Sequence, residues 1–320
     1  MIVIVTTEPH KYTHAALGKW CGATDIQSLS YWKLFRRRLL PQATYIFTDF
    51  DRLSPWELEL AANAWRTLAA AGCRVLNDPG KFRRRHAFLQ LMYRRGINSF
   101  RSWSPELDET PDHFPVFLRT QAAHRGVLSK LLLTVEDSRQ ALADALAAGH
   151  PLSDLHFVEY AAEATSTGVF RKLAAHRIGN DIVPALSVHS LDWIAKYGAP
   201  VAEEQQYEEE WAMLQQNPYR EQVMLAFEAA GIDYGRADFG LVRGRPEIYE
   251  INTNPMIRAL TEHWSQQRLA NSRFVRDALT AAMKALDTPD GRATMRLDGE
   301  PFKTQFRRDR RRFFMSAWMP

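Results

Sequence analysis

The segment that most constrains the fold of this chain is a strand-like run at residues 246–255, which reads PEIYEINTNP and stops at a proline. Successive side chains of a β-strand point to opposite faces, so Ile248, Glu250 and Asn252 are predicted to share one face. At a rise of roughly 3.3 Å per residue, Glu250 and Asn252 then present oxygen atoms about 7 Å apart. Hard cations such as Mg²⁺ prefer oxygen ligands, particularly where phosphates supply the others.

A second strand-like run at residues 232–240 lies just upstream and is predicted to pair with the first. The connection between them is typical of a hairpin turn. With the turn centred near Gly244, Asp238 lies across from residues 250–252, and Arg236 shares its face. Three oxygen ligands beside one cation indicate a metal–phosphate site. The alternative is a surface hairpin whose polar side chains face water.

The length and composition of the chain fit a globular protein of two or three lobes. Its 320 residues exceed most single cores, and 46% apolar with 24% charged residues is ordinary. No apolar run approaches the length of about 18 residues that a membrane span needs. Residues 1–6, MIVIVT, are predicted to form a buried first strand and not a signal peptide. Cys21 and Cys73 form no metal-spaced motif and are expected to be reduced thiols in the cytoplasm.

The formal net charge of +4 is mildly basic and suits anionic substrates such as nucleotides. Arginines cluster at residues 36–38, 83–85 and 307–312. Such runs usually form solvated faces, and no zinc finger, recognition-helix pattern or aromatic RNA-binding signature accompanies them. Neither nucleic acid nor a membrane is therefore the expected partner.

The first 80 residues alternate strands with a helix. Strands are predicted at Ile2–Thr6, Tyr45–Thr48 and Cys73–Leu76. Ser54–Glu57 combines a capping residue, a first-turn proline and a capping box, so a helix is predicted from there to the stop at Gly72. This alternation implies a parallel sheet. Because it lacks a Gly-rich fingerprint, the unit is predicted to be a small Rossmann-like lobe without a nucleotide of its own.

The rest of the chain mixes helices, strands and hairpins. Helices are predicted at 81–95, 134–149, 203–216, 219–230 and 271–286, and strands at 114–119, 128–133, 156–160, 168–178 and 182–188. The last two strands are expected to form a hairpin. The tail from Thr288 is expected to be loosely ordered or to pack as an appendage.

Residues 234–239 (YGRADF) and 249–255 (YEINTNP) resemble the ATP-grasp superfamily. The similarity is to its carboxylate–amine ligases, of the glutathione synthetase-like and glutamate-ligase types. The shared pattern is an Arg two residues before a metal-binding Asp, followed by Glu-x-Asn and a proline. The resemblance covers most of residues 1–285.

This resemblance implies an α/β (α+β) fold of several lobes. A Rossmann-like pre-ATP-grasp lobe would occupy residues 1–80, and the ATP-grasp domain residues 81–287. Within that domain, a nucleotide-covering lobe would span about 110–165 and a metal-binding lobe about 166–287. Residues 288–320 would form a basic tail.

The resemblance also implies nucleotide-binding residues. Arg85 and Arg119 stand where relatives usually carry phosphate-binding lysines, and arginine can bind phosphate with two hydrogen bonds. Glu159 and Tyr160 lie in a hinge-like segment whose backbone would hold adenine, and Glu163 would bind ribose. The implied cofactors are ATP and Mg²⁺, with Mn²⁺ as a substitute.

Metal ligation and substrate binding follow from the same resemblance. Asp238, Glu250 and Asn252 would hold the metal ion, and Arg236 and Arg171 would hold the acyl phosphate or the incoming carboxylate.

Lys172 is a further candidate for the nucleotide. It neighbours Arg171 in a strand where relatives place a basic residue. Because adjacent strand residues point to opposite faces, only one of the two is expected to reach the nucleotide.

Several positions depart from the family pattern. The loop after Arg119 contains Gly126 as its one glycine, where relatives often carry more. Asn254 stands where many relatives have an Arg, for which Arg258 could compensate. The side chains that could replace backbone donors in the loop are Thr120, Gln121, His124 and Arg125.

Three polar residues follow the first strand, His10, Lys11 and His14. Open α/β sheets bind ligands on this side, so these residues could recognise an acceptor. A solvated loop is the simpler interpretation.

Taken with the resemblance, the sequence predicts an ATP-dependent ligase that joins a carboxylate to an amine through an acyl phosphate. The alternatives are an ATP-grasp kinase and a nucleotide-binding regulatory or scaffold protein with impaired catalysis. Small molecules and peptides are both compatible substrates, and the chain is compatible with a homo-oligomer.

Overall fold

The computed structural model describes residues 1–37, 39–121, 126–194, 201–288, 294–297, 302 and 304–305. The strands are β1 (Ile2–Thr6), β2 (Ile26–Ser30), β3 (Leu39–Pro41), β4 (Thr44–Phe47), β5 (Val75–Leu76), β6 (Ser102–Trp103), β7 (Val116–Thr120), β8 (Leu155–Glu159), β9 (Phe170–Ile178), β10 (Asp181–Pro184), β11 (Val188–Ser190), β12 (Tyr234–Val242), β13 (Arg245–Asn252) and β14 (Thr294–Arg296). The α-helices are α1 (Ala15–Trp20), α2 (Tyr31–Leu34), α3 (Pro55–Ala70), α4 (Arg85–Arg94), α5 (Val135–Ala147), α6 (Glu204–Gln216), α7 (Arg220–Ala230) and α8 (Gln266–Lys284).

The N-terminal sheet is parallel, with the strand order β2-β1-β4-β5. The predicted parallel arrangement is therefore confirmed. Strand β2 was not predicted, because Gln27 and Ser28 at its centre are exposed and give no apolar pattern. Strand β5 is shorter than predicted, since Cys73 and Arg74 lie outside it.

Helix α3 begins with the predicted capping box. The Ser54 hydroxyl accepts a hydrogen bond from the Glu57 backbone N–H at 3.3 Å, and the Glu57 carboxylate accepts one from the Ser54 N–H at 2.9 Å. These bonds satisfy two donors that a helix start leaves unpaired. The helix then packs Leu60, Ala64 and Leu68 into the core.

Replacing Ser54 with alanine is expected to destabilise the protein by about 1 kcal/mol, because the cap is lost while the packing stays. Urea unfolding followed by circular dichroism measures the change. As a control, Ser153→Ala alters an exposed serine and is expected to change stability by less than about 0.5 kcal/mol. Equal effects of the two substitutions would contradict the capping role.

A second, antiparallel sheet has the order β6-β8-β7 and packs against α5. The predicted strand at 128–133 is wrong, because only isolated bridges join Val127 to Arg119 and Leu132 to Val116. Backbone pairing of residues 128–133 with β7 is interrupted at Leu118. The Leu118 N–H donates to the Ser129 hydroxyl at 2.9 Å and not to a backbone oxygen.

The third sheet is antiparallel, with the order β10-β9-β12-β13, and β11 also pairs with β9. The predicted hairpin of β9 and β10 is confirmed, with a turn at Gly179-Asn180. Helices α7 and α8 contact this sheet, and Phe227 and Ala226 of α7 are fully buried.

The hairpin of β12 and β13 is confirmed and turns at Arg243-Gly244. Both residues have positive φ, 51° and 76°, as a two-residue turn of this kind requires. Asp238 lies opposite Glu250 in the register, and Arg236 lies opposite Asn252.

A β-bulge at Tyr249 interrupts this hairpin, since Asp238 pairs with Glu250 but Phe239 pairs with Ile248. Strict alternation fails across the bulge. Ile248 is therefore buried in the core and does not share an open face with Glu250, as the sequence had predicted. The Tyr249 ring passes so close to Gly240 that a Cβ there would lie 2.1 Å from the hydroxyl, so any larger residue at 240 would displace the tyrosine.

The described part of the C-terminal tail packs on the N-terminal lobe. Strand β14 pairs with β3, and Leu297 and Phe302 are buried. This agrees with an appendage and not with a loose tail over these residues. No helix in the described ranges has both the length and the apolar character needed to cross a bilayer.

Candidate active site

A cavity of about 390 Å³ lies between the β6-β8-β7 sheet and the β9–β13 sheet. One set of lining residues is apolar or aromatic and the other is charged or polar. The first set includes Leu89, Phe100, Phe117, Val158, Tyr160, Trp193 and Tyr249, and the second comprises Arg119, Glu159, Lys172, Arg236, Asp238, Glu250 and Asn252. The cavity thus offers apolar and charged surfaces to one ligand.

Aromatic rings form much of the apolar surface. Trp193 lies 4.8 Å from Phe117 and 5.6 Å from Tyr160, measured between ring centroids. The Glu159 carboxylate is turned to the backbone N–H of Arg101, which it accepts at 2.9 Å. This bond engages one of the two carboxylate oxygens of Glu159.

The Asp238 carboxylate is almost fully buried and is neutralised by two cations. Arg236 donates to it through Nε at 2.7 Å and Nη2 at 3.2 Å, and Lys172 Nζ lies at 3.2 Å. Burial opposes the charge of Arg236, but the Asp238 carboxylate outweighs it and raises the pKa of the guanidinium. Arg236 is therefore charged at neutral pH.

Glu250 faces Asp238 across the hairpin and forms an ion pair with Arg85. Burial alone would raise the pKa of the Glu250 carboxyl, but Arg85, followed by Arg119 and Lys172, lowers it to about 2. Glu250 is therefore an anion at neutral pH and is available as an oxygen ligand.

Arg119 differs from the other cations because it forms no ion pair among the residues that the structure describes. Its Nε atom is buried and has no hydrogen-bond partner there. Burial, and then the charge of Arg85, lower the pKa of Arg119 to about 9, so the guanidinium remains charged at neutral pH. A buried cation without a counter-ion favours an anionic ligand.

The chemistry of Asp238, Glu250 and Asn252 fits a hard divalent cation, because all three offer oxygen atoms. The Asn252 Oδ1 accepts the Asn254 N–H at 2.8 Å, which orients the amide. Within the described ranges, no group of three or more His, Cys, Asp or Glu side chains could hold a metal. An ion here would need oxygens from substrate or water, as Mg²⁺ commonly does.

Three predicted site residues, Arg85, Arg171 and Glu163, lie outside the lining of this cavity. Arg171 is turned to Glu209, with 3.5 Å between Nη1 and Oε2, because Lys172 takes the inward-facing position of the strand. Glu163 is exposed and accepts the Arg243 N–H at 2.7 Å, beside the turn of β12 and β13. The roles of Arg171 and Glu163 therefore stay predictions.

The other predicted cations and loop residues are placed as follows. Arg85 reaches the site through Glu250, and Arg258 is exposed. Gln121 is buried and donates to the Ser153 carbonyl at 2.9 Å. His124 and Arg125 lie outside the described residues.

The polar residues after β1 are engaged within the protein. The Thr13 hydroxyl donates to the Asn254 amide oxygen at 2.9 Å, which joins this loop to the end of β13. His14 is buried, and burial lowers its pKa to about 3. His10 contacts Thr7 at 2.8 Å, and Lys11 pairs with Glu8. They do not form the free solvated loop that the sequence indicated.

Sequence reasoning missed the contributions of Tyr249 and Trp193. The Tyr249 hydroxyl donates to the Ala161 carbonyl at 2.8 Å and so joins β13 to the segment after β8. The alternation of apolar and polar residues in β13 does not indicate the β-bulge that turns Tyr249 toward the cavity. Trp193 lies in a loop, and no spacing pattern singles it out.

Neither a scan against protein-family models nor a search of curated proteins gives a match to this chain. Solved structures do match. A D-alanine–D-alanine ligase from Bacillus anthracis, complexed with ATP, is 14% identical, with a TM-score of 0.50 over 89% of this chain and 96% of the other.

Two further structures give similar values. The ATP-grasp ligase PsnB, complexed with a phosphomimetic variant of its minimal precursor, Mg and ADP, is 14% identical, with a TM-score of 0.51 over 88% of this chain and 96% of its own. D-cycloserine synthetase DcsG is 14% identical, with a TM-score of 0.50 over 89% and 99%.

The chain therefore has the ATP-grasp fold, a mixed α/β architecture with parallel and antiparallel sheets. The three solved structures named above are a D-alanine–D-alanine ligase, an ATP-grasp ligase and D-cycloserine synthetase. The predicted fold class is confirmed, and at this level of identity the likeness concerns the fold alone.

Proposed function

We propose that the protein is an ATP-dependent ligase that joins a carboxylate to an amine. The observation that carries this proposal is the division of the cavity. Aromatic residues suited to a base line part of it, and Arg119, Lys172 and Arg236 meet two carboxylates in another part. ATP has the matching division between an apolar ring system and a polyanionic tail. The ATP-grasp fold supports the same interpretation.

The cations of the site would bind and orient the phosphates. Arg119 forms no ion pair with the described residues, and its buried Nε has no hydrogen-bond partner among them, so it would bind a phosphate oxygen directly. Lys172 and Arg236 now neutralise Asp238 and would divide their contacts between that carboxylate and the nucleotide. Holding the phosphates in line with an attacking group is the main contribution a protein makes to phosphoryl transfer.

Asp238, Glu250 and Asn252 would hold Mg²⁺, with Mn²⁺ as a substitute. The ion would supply neutralisation of charge on the β- and γ-phosphates. The low pKa of Glu250 keeps its oxygens free of protons for this role at neutral pH.

Two substitution steps complete the proposed reaction. A carboxylate oxygen attacks the γ-phosphorus, and the bond to the β-phosphate oxygen breaks, so that ADP leaves with the electron pair. The amine nitrogen then bonds to the acyl carbon, and the C–O bond to phosphate breaks. An acceptor that arrives as an ammonium gives up two protons, one to the departing phosphate and one to solvent. Arg236 would hold the acyl phosphate.

The test uses the purified chain with ATP, MgCl₂ and hydroxylamine, and a panel of amino acids and dipeptides as carboxylates. Hydroxylamine converts an acyl phosphate to a hydroxamate, so ADP and hydroxamate are expected together for at least one carboxylate. Formation of ADP together with a phosphorylated product, but without hydroxamate, would identify a kinase. ATP binding without ADP formation would indicate a regulatory or scaffold protein, and either result would overturn the ligase.

Replacing Arg119 with methionine is expected to raise the KM for ATP about 10- to 100-fold, the range for loss of a charge-assisted hydrogen bond. Arg119→Lys keeps the charge and is expected to stay within about tenfold of wild type. The measurement is ADP formation over a range of ATP concentrations. Arg139→Met, at an exposed surface pair, is the matched control. An unchanged KM in Arg119→Met would remove this residue from the phosphate site.

A further inference from the structure

A second, smaller chamber of about 40 Å³ adjoins the charged part of the cavity. Its polar lining consists of Asp51, Arg83, Arg85, Gln121, Glu250 and Thr253. Glu250 lines both spaces, so the chamber lies beside the proposed point of phosphoryl transfer. No sequence motif predicts this chamber, and its Asp51 has no role in the proposed nucleotide site.

The Asp51 carboxylate has no hydrogen bond or ion pair with any described residue. It follows β4 in the short turn Phe50–Arg52, at the carboxyl end of the parallel sheet. Burial raises the pKa of the Asp51 carboxyl, and the positive charge of Arg85 lowers it. The negative charges of Glu250 and Asp49 also raise this pKa, and the positive charge of Arg52 lowers it. Asp51 is therefore a partly buried acid that lies near cations but has no direct hydrogen-bond or ion-pair partner among the described residues.

Arg85 contributes a second unsatisfied group. It is 8% exposed, and its Nη2 donates to Glu250. Its Nη1 is buried and has no hydrogen-bond partner among the described residues. Buried polar groups are nearly always hydrogen-bonded in folded proteins. A chamber that presents both a lone acceptor and a lone donor is therefore suited to a polar ligand.

We propose that this chamber binds the ammonium group of a primary-amine substrate through Asp51. The inference rests on the proposed ligase function and names the acceptor class and its binding residue. A carboxylate with no direct partner among the described residues favours a cation, and an ammonium offers three donors to it.

The size of the chamber supports a primary amine. A space of this volume holds a few water-sized groups, which matches –CH₂–NH₃⁺ and excludes a phosphate or a bulky tertiary amine. The unpaired Nη1 of Arg85 is then free to donate to an oxygen of the carboxylate that the amine attacks.

The test compares two nucleophiles on one carboxylate. Hydroxylamine is largely uncharged at neutral pH and does not need an ammonium site. Ethylamine and glycinamide, the probes for the chamber, are largely protonated. Amide and hydroxamate formation are measured for wild type and for Asp51→Asn, which preserves shape but removes the charge. The ratio of amide to hydroxamate is expected to fall at least about 30-fold, through a higher KM for the amine.

Asp51→Glu keeps the negative charge but moves it, and is expected to lower the ratio of amide to hydroxamate only about fivefold. This second variant tests the site if Asp51→Asn does not fold. Asp25→Asn, at an exposed site of the same lobe, is the matched control. An unchanged ratio in the Asp51 variants, or parallel loss of both products, would overturn the amine site. Hydroxamates without any amide from the primary amines in wild type would also overturn it, while leaving the ligase chemistry intact. Absence of ADP and hydroxamate in wild type would refute the proposed function itself.

Discussion

Replacement of Glu250 by alanine is expected to lower ATP consumption about a thousandfold, the largest activity effect we expect from one residue. Glu250 lies opposite Asp238 and lines both the cavity and the smaller chamber. Its removal takes away an oxygen ligand and leaves Arg85 as a second buried cation without a counter-ion. The phosphates would then be bound by cations but not positioned for transfer.

The measurement is ADP formation at saturating ATP and MgCl₂, with thermal unfolding recorded for each variant. Glu262→Ala replaces an exposed glutamate and is expected to keep wild-type activity. A folded Glu250→Ala protein with activity within about tenfold of wild type would exclude Glu250 from the proposed metal site. If activity is lost but ATP still binds, the loss lies in the chemical step.

Replacement of Arg268 by methionine is expected to destabilise the protein by about 3 kcal/mol, because it leaves a buried carboxylate without its counter-ion. Arg268 on α8 pairs with Glu210 on α6, and Glu210 is 2% exposed. Glu210 also accepts the Ser187 N–H at 2.6 Å and the Asn271 amide at 2.8 Å. These neutral donors remain in the variant but cannot replace a charge.

Urea unfolding measures this effect, and two further variants separate charge from packing. Arg276→Met removes an exposed pair with Asp277 on the same helix and is expected to cost less than about 1 kcal/mol. Adding Glu210→Gln to Arg268→Met removes the stranded charge, and recovery of at least half of the loss is expected. A double variant as unstable as Arg268→Met would attribute the effect to lost packing over Tyr207, which the guanidinium also covers.

The features that could be predicted from sequence are those with local signals. The capping box at Ser54, the Arg243-Gly244 turn and the pairing of β12 with β13 each depend on a few neighbouring residues. The position of the turn also predicted that Asp238 lies opposite Glu250. The assignment of the metal ligands remains a prediction, although the structure brings their side chains to one cavity.

The features that were missed depend on residues distant in the chain. The side-chain bond from Leu118 to Ser129 breaks a ladder that the apolar run alone predicts. The choice of Lys172 over Arg171 depends on the phase of β9 against β12, which no local pattern fixes. Asp51 joins Glu250 only because the N-terminal lobe packs against the third sheet.

The bulged Tyr249 has a consequence for protein engineering. Its hydroxyl reaches the Ala161 carbonyl, and its ring requires the bare backbone of Gly240. The segment after β8, which faces the aromatic part of the cavity, is thereby held at a fixed distance from the strand that carries Glu250. A chimera that exchanges the segment around Ala161 for that of a protein with the same fold would need Tyr249 and Gly240 to be transferred with it. If the segment were transferred without these two residues, Glu250 would be displaced.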